Sequence, residues 1–320
     1  MTKQEVVDQL YQKLKLLSET IWERQHSMRH IESWVSQFSS QENVLDDEQI
    51  HALYLLTNFV YFGQAEIRAL LVSLFRDLYR TPIIHEIRRS NGNTVDTNFL
   101  QTEFNKRLVS TRFLGVGNPS ESGVHLLYYF RQENSLPRTS FINSHEIFSR
   151  ETSGTSQLLS VRDAQIERYV FIDDLCGSGT QAEQYSRDLV EPLRKLKPDV
   201  KIDYLVLFAT DLGLKAVRDL KRYDHVASVF ELDSSFKALE PESRIFSGQD
   251  GRYDRTKVRA TCQKHGQRLW PTHPLGYKDG QLLLGFNHNT PDNTLPIFWG
   301  EGSGKSPWEP MFKRYHKNYS

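Results

Sequence analysis

The sequence predicts an α/β fold, a parallel sheet with helices on both faces, with a helical region before it and an irregular cap after it. Three observations predict it. From about residue 109, short runs of β-forming residues alternate with helical periodicity, and such alternation implies a parallel sheet between helices. Tyr169-Val170-Phe171-Ile172 is apolar without a break, as a strand buried on both faces must be. The first hundred residues carry apolar positions three and four apart, the spacing of helix faces. The expected division is a helical region over 1–108, an α/β core over 109–235, and a cap over 236–320 integrated with that core.

In chain order, Val6, Val7, Leu10, Leu14, Leu17 and Ile21 form one helical stripe, continued by Ile31, Trp34, Val35 and Phe38. Ser39-Ser40-Gln41-Glu42-Asn43 reads as a loop. Asp46 or Asp47 then caps a helix expected to reach Phe62, where Gly63 breaks it. Ile67, Leu70, Leu71, Leu74, Phe75 and Leu78 restart the stripe. Thr81-Pro82 reads as a cap with proline in the first helical position. Asn91-Gly92-Asn93 is a turn. The aromatic residues of this region read as core, and its helices are also compatible with a partner-binding surface.

The core opens with a strand over 113–116, a tight loop over 117–123, a helix over 124–132 and a strand over 140–142. Residues 143–167 are polar with little apolar pattern. The strand at Tyr169 ends in Asp173 and Asp174, and Cys176, Gly177, Ser178, Gly179 and Thr180 form a small-residue loop. Ala182, Tyr185, Leu189, Leu193 and Leu196 then mark one helix face. A strand over 204–209, a helix capped by Thr210 or Asp211, and a strand over 226–230 complete the core. The tail is rich in glycine, proline, asparagine and aromatics, with a strand over 282–286 and a polar loop after it.

Composition bounds the function. With 320 residues and a formal net charge of zero, the chain is globular in type and gives no global electrostatic reason to bind nucleic acid or an anionic membrane. Two cysteines without framework spacing fit a reducing compartment, and the N-terminus lacks a signal-peptide apolar stretch, so a cytoplasmic location is expected. The richest apolar run, 53–62, is too short to span a bilayer.

Strand, acidic pair, small-residue loop and helix N-terminus in that order have a chemical use. A helix N-terminus presents unpaired N–H groups and partial positive charge, and small residues let a phosphate approach. Ser178 and Thr180 add hydroxyls. Asp173 and Asp174 stand at the carboxyl end of a strand, where open α/β sheets bind ligands, and suit ribose hydroxyls or a hydrated Mg²⁺. Together they describe a site for a phosphorylated ribose. A side chain at Gly179 is expected to block the phosphate path without harming the fold. Asp174, nearer the loop, is expected to reach the sugar more easily than Asp173. Cys176 reads as a small filler.

The motif resembles the signature of type I phosphoribosyltransferases. That resemblance implies that Cys176, Gly177, Ser178, Gly179 and Thr180 bind the 5-phosphate of phosphoribosyl pyrophosphate, and that Asp173 and Asp174 bind ribose, with Mg²⁺ held through water. Gly177 stands where the family often has a further Thr. Gly117, Ser120, Glu121, Ser122 and Gly123 occupy the pyrophosphate-loop position, and 143–167, with His145, Glu146, Arg150, Arg162 and Asp163, the position of a flexible loop that closes over the site. Glu121 departs from the pattern, putting a carboxylate where a dianion would sit. Either it points away, or it meets pyrophosphate through Mg²⁺, or the site no longer binds pyrophosphate.

The tail narrows the resemblance. Residues 285–296 and 308–315 are similar to the ends of long phosphoribosyltransferase-like proteins of bacterial conflict cassettes, including antiphage systems. This implies an effector acting on phosphoribosyl pyrophosphate or a nucleotide, with protein partners from the same cassette. Two functions stay open: an enzyme breaking a bond at ribose C1, or a non-catalytic nucleotide sensor on the same fold. His288, Asn289 and Asp292 either build Asx-turns in an ordered cap or touch substrate.

Overall fold

A computed structural model describes residues 2–39, 46–117, 122–153, 156–248, 252–302 and 307–315. Helices α1 (Lys3–Thr20), α2 (Met28–Ser36) and α3 (Asp47–Leu56) come first, with Thr2, Ser27 and Asp46 as N-caps. The apolar run 53–62 is not one helix: α3 stops at Leu56, and β1 (Val60–Phe62) follows. Asn58 turns its side-chain amide back onto the Tyr54 carbonyl at 2.8 Å, which helps end the helix there.

Helix α4 (Gln64–Ser73) runs through a π-helical turn (Leu74–Arg80) into α5 (Thr81–Ser90). Thr81 is therefore not a cap: its backbone is helical (φ −62°, ψ −45°), and its N–H reaches back to Arg76 O. A proline lacks an N–H and its ring crowds the carbonyl four residues back, so a wider turn ahead of Pro82 keeps the helix continuous. The same device recurs before Pro192, where α8 (Thr180–Tyr185) passes through a π turn (Ser186–Val190) into α9 (Glu191–Leu196).

Between these lie α6 (Thr97–Val109), β2 (Thr111–Gly115), α7 (Ser122–Glu133), β3 (Phe148–Ser153), β4 (Ser156–Val161) and β5 (Arg168–Cys176). After α9 come β6 (Lys201–Thr210), α10 (Asp211–Asp219) and β7 (His225–Leu232). The chain closes with α11 (Arg255–Leu269), β8 (Leu284–Phe286) and α12 (Pro296–Trp299). The strand expected over 140–142 is a 3₁₀ turn (Arg138–Ser140) followed by a single bridge from Phe141 to Phe113. Among the described residues no helix is long and apolar enough to cross a membrane.

Contacts divide the chain into two compact units, Arg68–Leu232 and the pair Met1–Ile67 with Asp233–Ser320. This division differs from one at 108/109 and 235/236. Residues 68–108 group with the α/β core because they supply a layer on its sheet. The tail groups with the first helices because it shares their core.

In the unit Arg68–Leu232 the sheet is parallel, in the order β2-β5-β6-β7. The register pairs Phe113 with Val170 and Leu114 with Phe171, so the two faces can be followed strand to strand. On one face Phe113 meets Tyr79 of the first π turn at 5.1 Å and Phe130 of α7 at 5.3 Å. On the other, Leu114, Phe171, Tyr204 and Val206 share a buried cluster with Ala182, Val190, Leu193, Leu214 and Val217 of the following helices. Helices thus cover both faces, as the alternation predicts. At the amino ends of the strands Arg168 pairs with buried Asp203 at 2.5 Å.

Residues 143–167 are not a structureless loop. Asn143 and Glu146 form a capping box around a short 3₁₀ turn (Ser144–Glu146). Then β3 and β4 form an antiparallel hairpin, anchored at its base by buried Ile147 and Ile166. The pattern is faint because polar residues outnumber apolar ones across the two strands taken together.

The unit Met1–Ile67 with Asp233–Ser320 has an aromatic core. Trp34 stacks on Phe298 at 5.3 Å, Phe59 on Phe312 at 4.0 Å, and the indoles of Trp34 and Trp308 both donate to Ile297 O. Strand β1 pairs in parallel with β8. His26 lies against Phe312, with ring centroids 4.7 Å apart. Burial, helped by neighbouring His30, pulls His26 down to about 4. The folded state therefore favours the neutral ring, while the unfolded chain protonates near 6.5. Stability from this site is full above about pH 6.5, falls as the pH drops from there to about 4, and levels off below. The loss should be about 3 kcal/mol. His26→Gln should flatten most of that slope in denaturant titrations between pH 7 and 4.

Candidate functional site

The candidate site is built at the carboxyl end of β5. Ile172 is the last residue of β5 paired with β2, while pairing with β6 continues to Cys176. The acidic residues therefore lie inside a strand longer than the four-residue apolar run predicts. One edge of that strand has already parted from its neighbour at this point.

Asp173 and Asp174 differ. Asp173 is 3% exposed; its Oδ1 accepts the Asp174 N–H at 2.9 Å and its Oδ2 the Tyr204 hydroxyl at 3.3 Å. Asp174, on the opposite face, is half-buried and accepts the Leu175 N–H at 2.8 Å. Cys176 is buried, and that burial pushes its thiol up to about 12, which suits a filler and not a nucleophile.

The loop after β5 turns on Gly179, whose φ of +75° is natural only to glycine and which is the N-cap of α8. Ser178 Oγ and Thr180 Oγ1 stand 3.0 Å apart at this turn. A hydroxyl can both donate and accept, the chemistry that suits phosphate oxygens. Tyr185, one turn on, donates to Gly115 O at 3.3 Å and ties the helix to the end of β2.

The loop rests on α10. Thr210 Oγ1 donates to Gly177 O at 2.5 Å and accepts the Gly213 N–H at 3.0 Å. Thr210 is thus both the N-cap that its sequence position predicts and a support for the loop. A Cβ at Gly213 would sit 2.3 Å from Cys176 O, and one at Gly179 would sit 3.0 Å from Ala216 Cβ. This corrects one expectation: a valine at Gly179 would strain the backbone and collide with α10 before it met any ligand. Gly213→Ala is the informative change. It should lift the loop off α10, costing roughly 1–3 kcal/mol of stability as overpacking does. Loss of phosphate binding should accompany it, read by calorimetry beside a denaturant melt.

Of the other residues singled out in the sequence, Gly117 follows β2 with φ +99°. Ser120 and Glu121 lie outside the described residues. Ser122 and Gly123 form the first turn of α7. In the hairpin segment His145, Arg150 and Arg162 are exposed, and Asp163 lies 3.5 Å from Arg112. In the other unit Asn289 Oδ1 accepts the N–H groups of Thr290 and Tyr315, and Asp292 accepts from Arg314 at 3.1 Å. Those two side chains hold the tail in place. His288 stacks on Phe286 with centroids 5.4 Å apart.

Among the described residues no three His, Cys, Asp or Glu side chains converge as metal ligands. Mg²⁺ in such sites keeps several waters and binds through one or two carboxylates and the substrate's phosphates. Asp174 fits that limited part. Asp173, with both oxygens engaged inside the protein, fits it poorly.

Tyr204 and Gly213 could not be read from sequence as parts of this arrangement, since each comes from a neighbouring element and joins the loop only through the tertiary fold. Comparison with known proteins bears on the whole. Residues 31–314 match the family model described as PRTase-CE. Among solved structures, the chain is similar to a Helicobacter pylori xanthine-guanine-hypoxanthine phosphoribosyltransferase (10% identity, 54% of this chain and 92% of that one, TM-score 0.27). It is also similar to an Aeropyrum pernix orotate phosphoribosyltransferase (15% identity, 64% and 77%, TM-score 0.27). A Pyrococcus horikoshii purine phosphoribosyltransferase is a third (12% identity, 54% and 91%, TM-score 0.27). No curated protein matches.

Proposed function

The chain belongs to the PRTase-CE family, and from that premise we propose that it binds phosphoribosyl pyrophosphate, or a nucleotide with the same 5-phosphoribosyl group, at the carboxyl end of β5. One observation carries the reading. An acidic strand end, a glycine in the left-handed region and two hydroxyls 3.0 Å apart stand together where a helix begins. Ser178, Gly179 and Thr180 take the 5-phosphate. Asp174 takes the ribose hydroxyls. Asp174 would hold Mg²⁺ through water, and the ion would supply charge neutralisation at the substrate's phosphates.

The reaction is cleavage or transfer at ribose C1. Its transition state has oxocarbenium character, so these side chains act by positioning and charge, not by covalent attack. Cys176, buried with its thiol pushed up to about 12, takes no part as a nucleophile. In the cell we place the protein in the cytoplasm as an effector of bacterial antiphage defence, working with proteins of the same cassette. The resemblance of 285–296 and 308–315 to the ends of conflict-system proteins supports this.

Glu121 favours a second reading, a sensor that binds the nucleotide without turning it over, because a carboxylate in the pyrophosphate loop opposes a dianion. An untargeted comparison of nucleotide pools, with and without expression, decides between them. Turnover predicts a changed pool that Asp174→Ala restores. Unchanged pools together with retained ligand binding would establish the sensor.

A further inference from the structure

The two carboxylates of the acidic pair have different surroundings, and the difference points to Tyr204. The register pairs Phe171 with Tyr204 and Asp173 with Val206, so Tyr204 lies on the sheet face that Asp173 shares, one pleat repeat earlier on the neighbouring strand. Both side chains are inside the protein, Asp173 at 3% exposure and Tyr204 at 1%. The hydroxyl donates to Asp173 Oδ2 at 3.3 Å, and Asp173 Oδ1 accepts the N–H of the peptide that joins the two acids. Asp173 thus links β6 to the peptide from which Asp174 projects.

The ring of Tyr204 also lies 5.4 Å from that of Tyr223, whose hydroxyl donates to Ala182 O in the first turn of α8. A phenylalanine would fill the same space among Phe171, Val206, Ala182 and Val190. A buried hydroxyl is costly unless it is bonded; Asp173 accepts from it, and the Cys176 thiol is its other hydrogen-bonding neighbour.

We propose that Tyr204 is a positioning residue for the phosphoribosyl site, acting through Asp173, which serves as a buried strut and not as a ligand of the sugar. The proposal rests on the reading of the site given above. Asp174 meets the ribose, Asp173 fixes the peptide that aims Asp174, and Tyr204 fixes Asp173.

The test is calorimetric titration of the full chain with Mg²⁺ and phosphoribosyl pyrophosphate. Tyr204→Phe should weaken binding about tenfold, the scale of one lost hydrogen bond. In an Asp173→Ala background the same change should add no further loss, because the path it acts through is gone. A ring that only fills space would lower the melting temperature without moving the dissociation constant. Asp173→Asn leaves one carbonyl oxygen for two donors, the Asp174 N–H and the Tyr204 hydroxyl, so it should weaken binding about tenfold and also lower the ligand-free melting temperature.

Wild-type affinity in Tyr204→Phe, with binding lost in Asp174→Ala, would overturn the role of Tyr204 and leave the site standing. So would full additivity in the Asp173→Ala background. Unchanged binding in Asp173→Asn, or a tenfold loss with the ligand-free melting temperature unmoved, would deny Asp173 the role of a buried strut and likewise overturn the proposal; this variant also decides the matter if Tyr204→Phe does not fold. Unchanged affinity in both Asp174→Ala and Tyr204→Phe would remove the site itself.

Discussion

Arg168→Ala should destabilise the α/β unit by about 3–5 kcal/mol, the cost of stranding a buried charge. Asp203 is 1% exposed, and the Arg168 guanidinium 2.5 Å away is its hydrogen-bonded cation. The carboxylate's other oxygen, Oδ1, has no hydrogen-bond partner among the described residues. Burial pushes the Asp203 carboxyl up even with Arg168 beside it, so without the arginine the ionised form is disfavoured further. The pair sits at the amino ends of β5 and β6, the end of the sheet away from the candidate site. Its loss should therefore appear in denaturant melts before it appears in ligand binding. Replacing both members, Arg168→Met with Asp203→Leu, should recover most of the stability, since apolar packing commonly matches a buried ion pair. A double variant as weak as Arg168→Ala would show that the ion pair itself was stabilising, since methionine keeps the packing of the arginine stem.

Asp174→Ala should cut affinity for phosphoribosyl pyrophosphate by about one to two powers of ten, the value of roughly 1.5–3 kcal/mol for a charge-assisted hydrogen bond. Its carboxylate is half-buried and its bond to the Leu175 N–H is local, so the ligand-free melting temperature should move little. Asp173→Ala should behave differently. It removes the acceptor of two buried donors, the Asp174 N–H and the Tyr204 hydroxyl, and should lower stability as well as affinity. Asp174→Ala is thus expected to keep its ligand-free melting temperature and Asp173→Ala to lose some of it. Differential scanning fluorimetry with and without ligand separates the two effects.

What was legible in the sequence was local. Residues 168–182 declare themselves because an unbroken apolar run, two acids, small residues and a helical period follow one another directly. What was hidden depends on partners far along the chain. Strand β1 exists because it pairs with β8, more than two hundred residues later, and nothing near Val60 announces that. The π turns before Pro82 and Pro192 let helices pass prolines that ordinarily mark a boundary. The hairpin of β3 and β4 is too polar for periodicity to show it. At the site the types of residue were readable, and so was the inequality of the two acids on a strand; what holds Asp173 buried and Asp174 half-buried was not. That split is set by Tyr204 from β6 and by the end of pairing with β2 at Ile172.

The loop between Cys176 and Thr180, held on α10 by Thr210 and Gly213, is the centre of the account. Calorimetric titration of the unaltered chain with phosphoribosyl pyrophosphate and Mg²⁺ tests it most directly. The predicted result is one saturable site per chain that ribose 5-phosphate competes for and Gly213→Ala weakens. A folded protein that gives no binding heat, or one whose binding ignores ribose 5-phosphate, would contradict it.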